Sequence, residues 1–537
     1  MTKPIQLPAI KPEEQTPLVR SRVEIIERLA ETVQRHTETI GQLKDEISVL
    51  KGEKKRPVFK PSKMEDQAGK AAGDDKAEGK KKRPGSAKRS KTQTLQIHEE
   101  RVIAPEAIPE GARFKGYQDY VVQELVIAPH TIRYRLERWQ APNGELLRGQ
   151  LPDSVDGHFG RQLKSYILYP HHHAQVTQPL LREQLREWGI DISSGQIDAL
   201  LTQCQEAFFA EKAGIRRAGL ESAAAITVDD TGARHPGKNG YATHIGNAAF
   251  AWFESTGEKS RINFLQWLRA GQTDYWLDET AGSYMQALKL PQAELARLQH
   301  HPVRHFPDAE SWQAHLANRP ITAPRHVRIA TEAALLGSVL RHGCSKTLAI
   351  VSDDAGQFDV PLLLHGLCWV HAERTIHKLN PLNAAHREAI ESIRGPLWTL
   401  YADLKQYQRE PTEAKKAELS ARFDELFTRQ TPFATLNHTL QRLYRNKAAL
   451  LLVLEHPDVP LHTNGSERDI RDYVKNRKVS GGTRSDLGRR CRDTFASLKK
   501  TCRKQGISFW HSLIDRLSRL NQIPPLPLLI RQQAMGR

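Results

Sequence analysis

The spacing of apolar residues near the amino terminus predicts a coiled coil. Ile26, Val33, Ile40 and Ile47 recur every seven residues. A second row follows three residues later in each heptad and consists of Leu29, His36, Leu43 and Leu50. β-Branched residues in one row and leucine in most of the other favour a parallel two-stranded coiled coil. We therefore expect a homo-oligomer that forms through residues 19–50, with a single amphipathic helix packed on its own chain as the alternative.

The next stretch, residues 51–93, lacks any periodic pattern. It is low in complexity and nearly free of aromatic residues. Such a segment cannot bury enough apolar surface to fold alone. We interpret it as a basic, disordered linker that follows an N-terminal segment at 1–50.

Strand-like patterns begin after the linker. Residues 120–127 and 131–139 are rich in Val, Ile, Leu and Tyr, and a Pro-Asn-Gly turn signal follows at 142–144. Residues 94–157 are therefore predicted to form a strand-rich small domain.

Residues 158–220 have a helical pattern. Amphipathic stretches at 178–188 and 194–201 flank a glycine-containing turn, which resembles a helix-turn-helix. We expect a DNA-binding region here, although any pair of adjacent antiparallel helices gives the same pattern.

A strand pattern interrupted by helical stretches extends from 221 to 520. Short apolar runs predict strands at 225–229, 241–246, 248–254 and 347–352. Helical insertions are expected near 271–343 and 381–460. Residues 464–518 are predicted to form a helix, a glycine turn and a second helix, before a tail at 521–537. Strands mixed with helices in this order predict an α/β fold.

The charge of the chain points to an anionic partner. The net charge is +17 and the isoelectric point is about 9.6. Residues 51–93 contain 15 lysines and arginines against 6 acidic residues, and residues 468–504 contain 13 against 4. Nucleic acid is the expected partner, since neutralised phosphates release counterions. No apolar run approaches the ~18 residues of a spanning helix, so we expect no membrane partner.

The five cysteines are scattered and form no CxxC pair. This usage argues against a disulfide framework and predicts a reducing, cytoplasmic location.

Three acidic residues, widely separated in the sequence, are the candidate catalytic residues. Asp229 and Asp353 each follow a predicted strand, and Glu467 lies on a basic helix. Carboxylates at the ends of adjacent strands can share divalent ions that activate a phosphodiester, and Mg²⁺ prefers such oxygen ligands. Alternatively, the aspartates are turn residues and Glu467 is favoured by the helix dipole.

Four motifs make the sequence similar to a known family. They are VDDT at 228–231, SDDAG at 352–356, CWVHA at 368–372 and NGSERDIR at 464–471. Arg477-Lys478, a Gly481-Gly482 turn and a closing helix follow. Together they resemble the insertion-sequence-66 family of bacterial transposases over roughly residues 160–520.

The resemblance implies a ribonuclease-H-like mixed sheet with a DDE triad. Asp229, Asp353 and Glu467 would be catalytic and would bind two Mg²⁺ ions, with Mn²⁺ as an alternative. The implied reaction is DNA strand cleavage at the ends of an insertion sequence and transfer of the 3′ ends to target DNA. Partners would be both DNAs and accessory proteins of the same element, at the bacterial nucleoid.

Two features depart from the family pattern. The family usually carries a cysteine-rich zinc module after the linker, whereas residues 94–152 contain no cysteine, so no zinc is expected. The gap between the first two acids is longer than usual. Cys368 and His371 resemble half of a zinc site, but we interpret them as residues that support the acids.

Basic residues after Glu467 are predicted to hold the DNA backbone. They are Arg468, Arg471, Lys475, Arg477 and Lys478. Cations beside the acids would bind phosphates, and a solvated helix face is the alternative. A catalytically inactive DNA-binding relative and a nuclease without strand transfer are the alternative functions.

Overall fold

The described part of this computed structural model covers residues 16–36 in part and residues 96–536, apart from 106, 108, 110, 111, 119, 236, 320 and 343–346. The predicted linker and four of the coiled-coil positions (40, 43, 47 and 50) lie outside the described residues. Described residues between 18 and 36 are helical, and Ile26, Leu29 and Val33 are exposed. The oligomer through this helix stays a prediction.

A five-stranded mixed sheet forms the centre of the protein. Its strands are β3 (Ala225–Arg234), β4 (Asn239–Gly246), β5 (Ala251–Thr256), β8 (Ala349–Ser352) and β9 (Leu364–Leu367). They lie in the order β5-β4-β3-β8-β9. The β3–β4 and β4–β5 pairs are antiparallel, whereas β3–β8 and β8–β9 are parallel. The α/β prediction is confirmed, and this sheet is compatible with the expected ribonuclease-H-like core.

Within the strand-rich domain predicted at 94–157, the described residues form one short β-hairpin. Strands β1 (Arg138–Gln140) and β2 (Leu146–Arg148) pair across the predicted turn, where Gly144 has a φ of 84°. The strand predicted at 120–127 is absent, and the one at 131–139 is reduced to β1. Val126 is 87% exposed, so these apolar runs have no surface to pack on. Strand propensity expresses such packing rather than a backbone preference.

Between the β1–β2 hairpin and the sheet, the described residues form four helices that share the core of the sheet. They are α1 (Arg161–His173), α2 (Gln178–Glu187), α3 (Ser194–Thr202) and α4 (Glu206–Ser222). The predicted cap of α3 is present, since Ser193 and Gln196 form a reciprocal capping box. Leu185 and Phe208 lie in the same apolar cluster as Val228 of β3. The boundary predicted at residue 220 therefore does not separate two hydrophobic cores.

The segment between β5 and β8 is mainly helical, as predicted. It contains α5 (Arg261–Leu268), β6 (Tyr275–Trp276), α6 (Glu279–Ala287), α7 (Gln292–Gln299), β7 (His305–Phe306), α8 (Ala309–Ala317) and α9 (Pro324–Arg341). Helix α9 is buried along much of its length. Its residues join the same apolar cluster as the sheet, so this segment packs on the core.

A second apolar core lies in the helices after β9. They are α10 (Trp369–His377), α11 (Ala384–Tyr407), α12 (Glu413–Phe427), α13 (Ala434–Arg445), α14 (Lys447–Leu450) and α15 (Leu452–Glu455). Trp369, Phe423 and Phe427 are fully or almost fully buried in it. The N-terminal helix contacts this unit, since Glu27 Oε2 accepts a hydrogen bond from the Ala434 amide at 2.8 Å.

The C-terminal helices close the core. They are α16 (Asn464–Ser480), α17 (Asp486–Lys504), α18 (Phe509–Ser518) and α19 (Leu526–Met535). The prediction of a tail at 521–537 is wrong, because Leu526 and Ile530 of α19 are buried in the main cluster. None of the described helices combines the length and apolar character that a membrane crossing requires.

Helix α17 covers the edge strand β5 with a row of polar side chains. Arg489, Asp493, Ser497 and Thr501 recur every fourth residue and so lie on one helix face. Ser497 Oγ accepts a hydrogen bond from the Phe253 amide at 2.9 Å, and Thr501 Oγ1 accepts one from the Ala251 amide at 3.2 Å. Edge strands otherwise present unpaired backbone groups that recruit other strands. The row therefore completes the sheet on this side.

We predict that Ser497→Ala lowers the free energy of unfolding by about 1–3 kcal/mol, because the buried Phe253 amide loses its acceptor. Denaturant unfolding measures the loss, and hydrogen exchange at β5 locates it. Ser480→Ala is the control, since Ser480 is exposed on α16. Equal stability of the two variants would contradict the role of Ser497.

Candidate active site

Asp229 on β3 and Asp353, the residue directly after β8, lie close together. The pairing of β3 with β8 matches Ala225 with Ala349 and Thr227 with Val351. The same register, continued by two residues, sets Asp229 beside Asp353 on the same sheet face. Strand β3 does not end at Asp229 as predicted but continues to Arg234, because β4 pairs with it throughout.

The protein satisfies these two carboxylates only in part. Asp353 Oδ1 is buried and has no hydrogen-bond partner. Burial, together with the charge of Asp353, raises the pKa of Asp229 to about 7 from its ordinary 3.8. A hydrogen bond from the Asp230 amide, 2.7 Å from Asp229 Oδ1, only partly offsets these effects. A crowded, partly buried pair of carboxylates is a suitable site for a cation.

Glu467 lies on the same side of the sheet, in the first turn of α16. Ser466 Oγ donates to Thr227 Oγ1 at 2.7 Å, which fixes the start of α16 against the strand that carries Asp229. The charge of Glu467 also contributes to the raised pKa of Asp229. The structure therefore brings the three predicted acids to one region of one sheet face.

The Glu467 carboxylate is bound by an arginine. Arg374 Nη1 lies 2.9 Å from Glu467 Oε1, and Arg374 Nη2 lies 3.3 Å from Oε2. His371 Nε2 is 3.7 Å from the same Oε1. Within the described residues, no three His, Cys, Asp or Glu side chains are grouped closely enough to hold a metal ion. Asp229 and Asp353 thus fit a cation, whereas Glu467 is engaged by Arg374.

Arg374 is the functional residue that the sequence analysis missed. It lies on α10, three residues after His371, and positions three apart share a helix face. The sequence analysis named Cys368 and His371 as supporting residues but did not consider Arg374, the next basic residue on the same helix. Cys368 is buried, and its Sγ accepts a hydrogen bond from the Thr463 amide at 3.4 Å, so it contacts the residue that precedes α16.

Asp230, the neighbour of Asp229, points to the opposite sheet face and is satisfied there. It accepts hydrogen bonds from Thr243 Oγ1 and, at 2.8 Å, from Gln357 Nε2. Lys259 Nζ lies 3.8 Å from its Oδ2. These contacts assign Asp230 a structural position and make it a natural comparison for Asp229.

Four of the five predicted DNA-binding residues form one exposed face of α16. They are Arg468, Arg471, Lys475 and Lys478, which are separated by three or four residues. Arg477 differs, because its guanidinium donates to the Gly232 carbonyl of β3 and is only partly exposed. Helical spacing brings the four together beside Glu467 and turns Arg477 towards the sheet.

The raised pKa of Asp229 predicts a pH-dependent stability cost. Between 3.8 and about 7 the folded chain retains a proton that the unfolded chain releases, so stability falls as the pH rises. Asp229→Asn should therefore raise the free energy of unfolding by roughly 1–4 kcal/mol near pH 8, and this gain should shrink towards pH 4. Denaturant unfolding without metal measures the gain.

The exposed neighbour Asp354 supplies the control, as Asp354→Asn should change stability little at any pH. A gain for Asp229→Asn that is independent of pH would show that Asp229 is not protonated in the folded chain.

The part of the chain that carries Asp353 and Glu467 matches a known protein family. A family model described as Transposase IS66 family matches residues 351–490, a range that contains Asp353, Arg374 and Glu467. An uncharacterized protein of Sinorhizobium fredii (strain NBRC 101917 / NGR234), y4jO, is 44% identical over 320 residues. Those residues cover 59% of this chain and 99% of that protein. As its motifs predicted, the chain belongs to the IS66 family of transposases.

Proposed function

We propose that this protein is a transposase that cleaves DNA strands at the ends of a bacterial insertion sequence and transfers the 3′ ends to target DNA. The observation that carries the proposal is the neighbouring pair of Asp229 and Asp353, two partly buried carboxylates of which Asp353 Oδ1 has no hydrogen-bond partner, with Glu467 on the same sheet face. A ribonuclease-H-like core built on this mixed sheet is part of the proposal.

Asp229, Asp353 and Glu467 are the residues that would hold two Mg²⁺ ions. When bound, such ions activate the attacking oxygen and stabilise the leaving oxygen of a phosphodiester. Asp353 Oδ1 is already free to accept a cation. The oxygens of Glu467 are bonded to Arg374, so this glutamate becomes a ligand only when it leaves the guanidinium.

The protein's own side chains would do the rest of the work at the site. The exposed cations of α16 would bind DNA phosphates next to Glu467. Such phosphate contacts fix the position of a duplex without reading its sequence. Arg374 compensates the charge of Glu467 until the site is occupied. His371, 3.7 Å from Glu467 Oε1, would limit how far that side chain turns.

The N-terminal regions have proposed roles outside the catalytic core. Helices α2 and α3 with the hairpin before them would recognise the element ends, and the N-terminal helix would join two copies. The exposed apolar side chains of Ile26, Leu29 and Val33 support the second of these assignments.

We predict that Asp229→Asn, Asp353→Asn and Glu467→Gln each abolish Mg²⁺-dependent cleavage but leave DNA binding intact. Cleavage and joining of end-containing DNA are scored on gels, and binding is scored by anisotropy. Asp230→Asn and Asp354→Asn are matched neighbours that should keep cleavage, because their side chains lie on the other sheet face or in solvent.

Three results would contradict the proposal in different ways. Binding without cleavage in the wild type identifies an inactive DNA-binding relative. Cleavage without joined products identifies a nuclease. Equal loss in Asp229→Asn and Asp230→Asn removes the case for these particular acids.

We also predict that Arg374→Gln tightens Mn²⁺ binding to the DNA-free protein by about five-fold, which corresponds to ~1 kcal/mol for a partly exposed ion pair. The physical reason is that the guanidinium competes with metal for Glu467. Calorimetric titration measures the affinity, and Glu467→Gln should weaken it. Arg422→Gln is the control, since it breaks a remote pair with Asp403 at 2.7 Å. Unchanged affinity in Arg374→Gln would show that the arginine does not compete.

A further inference from the structure

A basic groove of about 440 Å³ lies away from the acids, between α4, β5 and the start of α17. Its lining includes Lys212, Arg216, Trp252, Arg489, Arg490 and Thr494. The strand register aligns Trp252 with Ile245 and Val228, so the groove lies on the sheet face opposite to Asp229. None of the three candidate acids lies in it, and the closing helix contributes Arg489, Arg490 and Thr494.

The acids at this groove already have basic partners. Glu254 Oε2 is 2.6 Å from Lys212 Nζ. Asp486 Oδ1 is 3.0 Å from His235 Nε2 and 3.5 Å from Arg489 Nη2. Each acidic side chain of the groove therefore has a basic partner, and the charge of Glu254 also acts on Arg216.

Two guanidinium groups remain without a carboxylate. Arg216 lies over the Trp252 ring at 4.9 Å, and Arg490 lies over the Phe209 ring at 3.9 Å. Among the described residues, no acidic side chain forms an ion pair with Arg216 or Arg490. Burial lowers the pKa of Arg216; the charge of Glu254 acts against this, and the nearby Arg217 and Arg269 lower the pKa further. Positive charge is therefore concentrated here at a cost to the folded chain, as expected of a site that receives an anion.

Buried polar atoms in the groove lack partners as well. Thr494 is fully buried and lines the groove, and its hydroxyl has no hydrogen-bond partner. The Nε of Arg216 is also buried without one. Unsatisfied groups of this kind are uncommon in folded proteins. Both residues line the groove.

We propose that this groove binds the phosphodiester backbone of DNA, at a segment other than the one that reaches the acids. This inference rests on the proposed function, because it takes DNA as the ligand. Arginines held on flat aromatic rings present a planar fork of donors that matches phosphate oxygens. A duplex lying on the Asp229 face cannot also enter a groove on the opposite face of the same sheet. The second segment is therefore a different part of a bent DNA or a second DNA molecule.

The test is the affinity of the full-length chain for a short labelled duplex of unrelated sequence, in metal-free buffer. Arg216→Gln/Arg490→Gln should weaken binding about ten-fold near 0.15 M salt and reduce the slope of log K against log salt by about two. The matched control is Arg442→Gln/Arg445→Gln, which removes the same charge from exposed sites on α13. It should change the affinity far less.

Loss of folding is tested separately. Arg490 is exposed, so Arg490→Gln alone should keep the wild-type unfolding temperature and still lower the salt slope by about one. Equal affinities and slopes for the groove variants and the control pair would overturn the inference.

The same experiment separates this inference from the proposed function. A wild type that does not bind DNA refutes the proposed function. A wild type that binds DNA with full affinity after loss of Arg216 and Arg490 refutes only the groove. If the double variant loses binding of a labelled polyglutamate peptide but not of DNA, the groove binds an acidic protein segment and the inference fails.

Discussion

The site depends on one constraint, the register between β3 and β8. That register, continued by two residues, sets Asp229 beside Asp353, where burial and the charge of Asp353 raise the pKa of Asp229. The packing around them follows from it, since Ser466 ties α16 to Thr227, only two residues from Asp229. The closeness of the two carboxylates thus follows from the pairing of β3 with β8.

The sequence was sufficient for the elements whose pattern is local. Four of the five core strands, the capping box at Ser193 and the helices flanking Gly481 follow from short-range spacing and turn chemistry, whereas β9 was not predicted. The strand predicted at 120–127 was wrong because strand formation needs a partner surface that composition does not reveal. The tail failed for the related reason that Leu526 and Ile530 owe their burial to distant residues in the same apolar cluster.

The same distinction applies to the candidate site. Asp229, Asp353 and Glu467 could be selected because motifs marked them. Arg374 could not, since its importance lies in a contact with Glu467 across 93 residues of sequence. Arg477 shows the converse, as its sequence neighbours are exposed cations while its own guanidinium faces β3. Helical spacing predicts which way Arg374 and Arg477 point only after the buried face of each helix is known.

The polar row of α17 has a consequence for incomplete copies of this protein. A chain truncated before Asp486 would keep all three acids and the cationic face of α16. Its β5 strand would lose the side chains that bind the Ala251 and Phe253 amides. An open sheet edge accepts strands from other molecules. Such fragments would therefore be removed from solution by aggregation before they could act on DNA, and a frameshift near the end of the gene would silence the protein as effectively as loss of an acid.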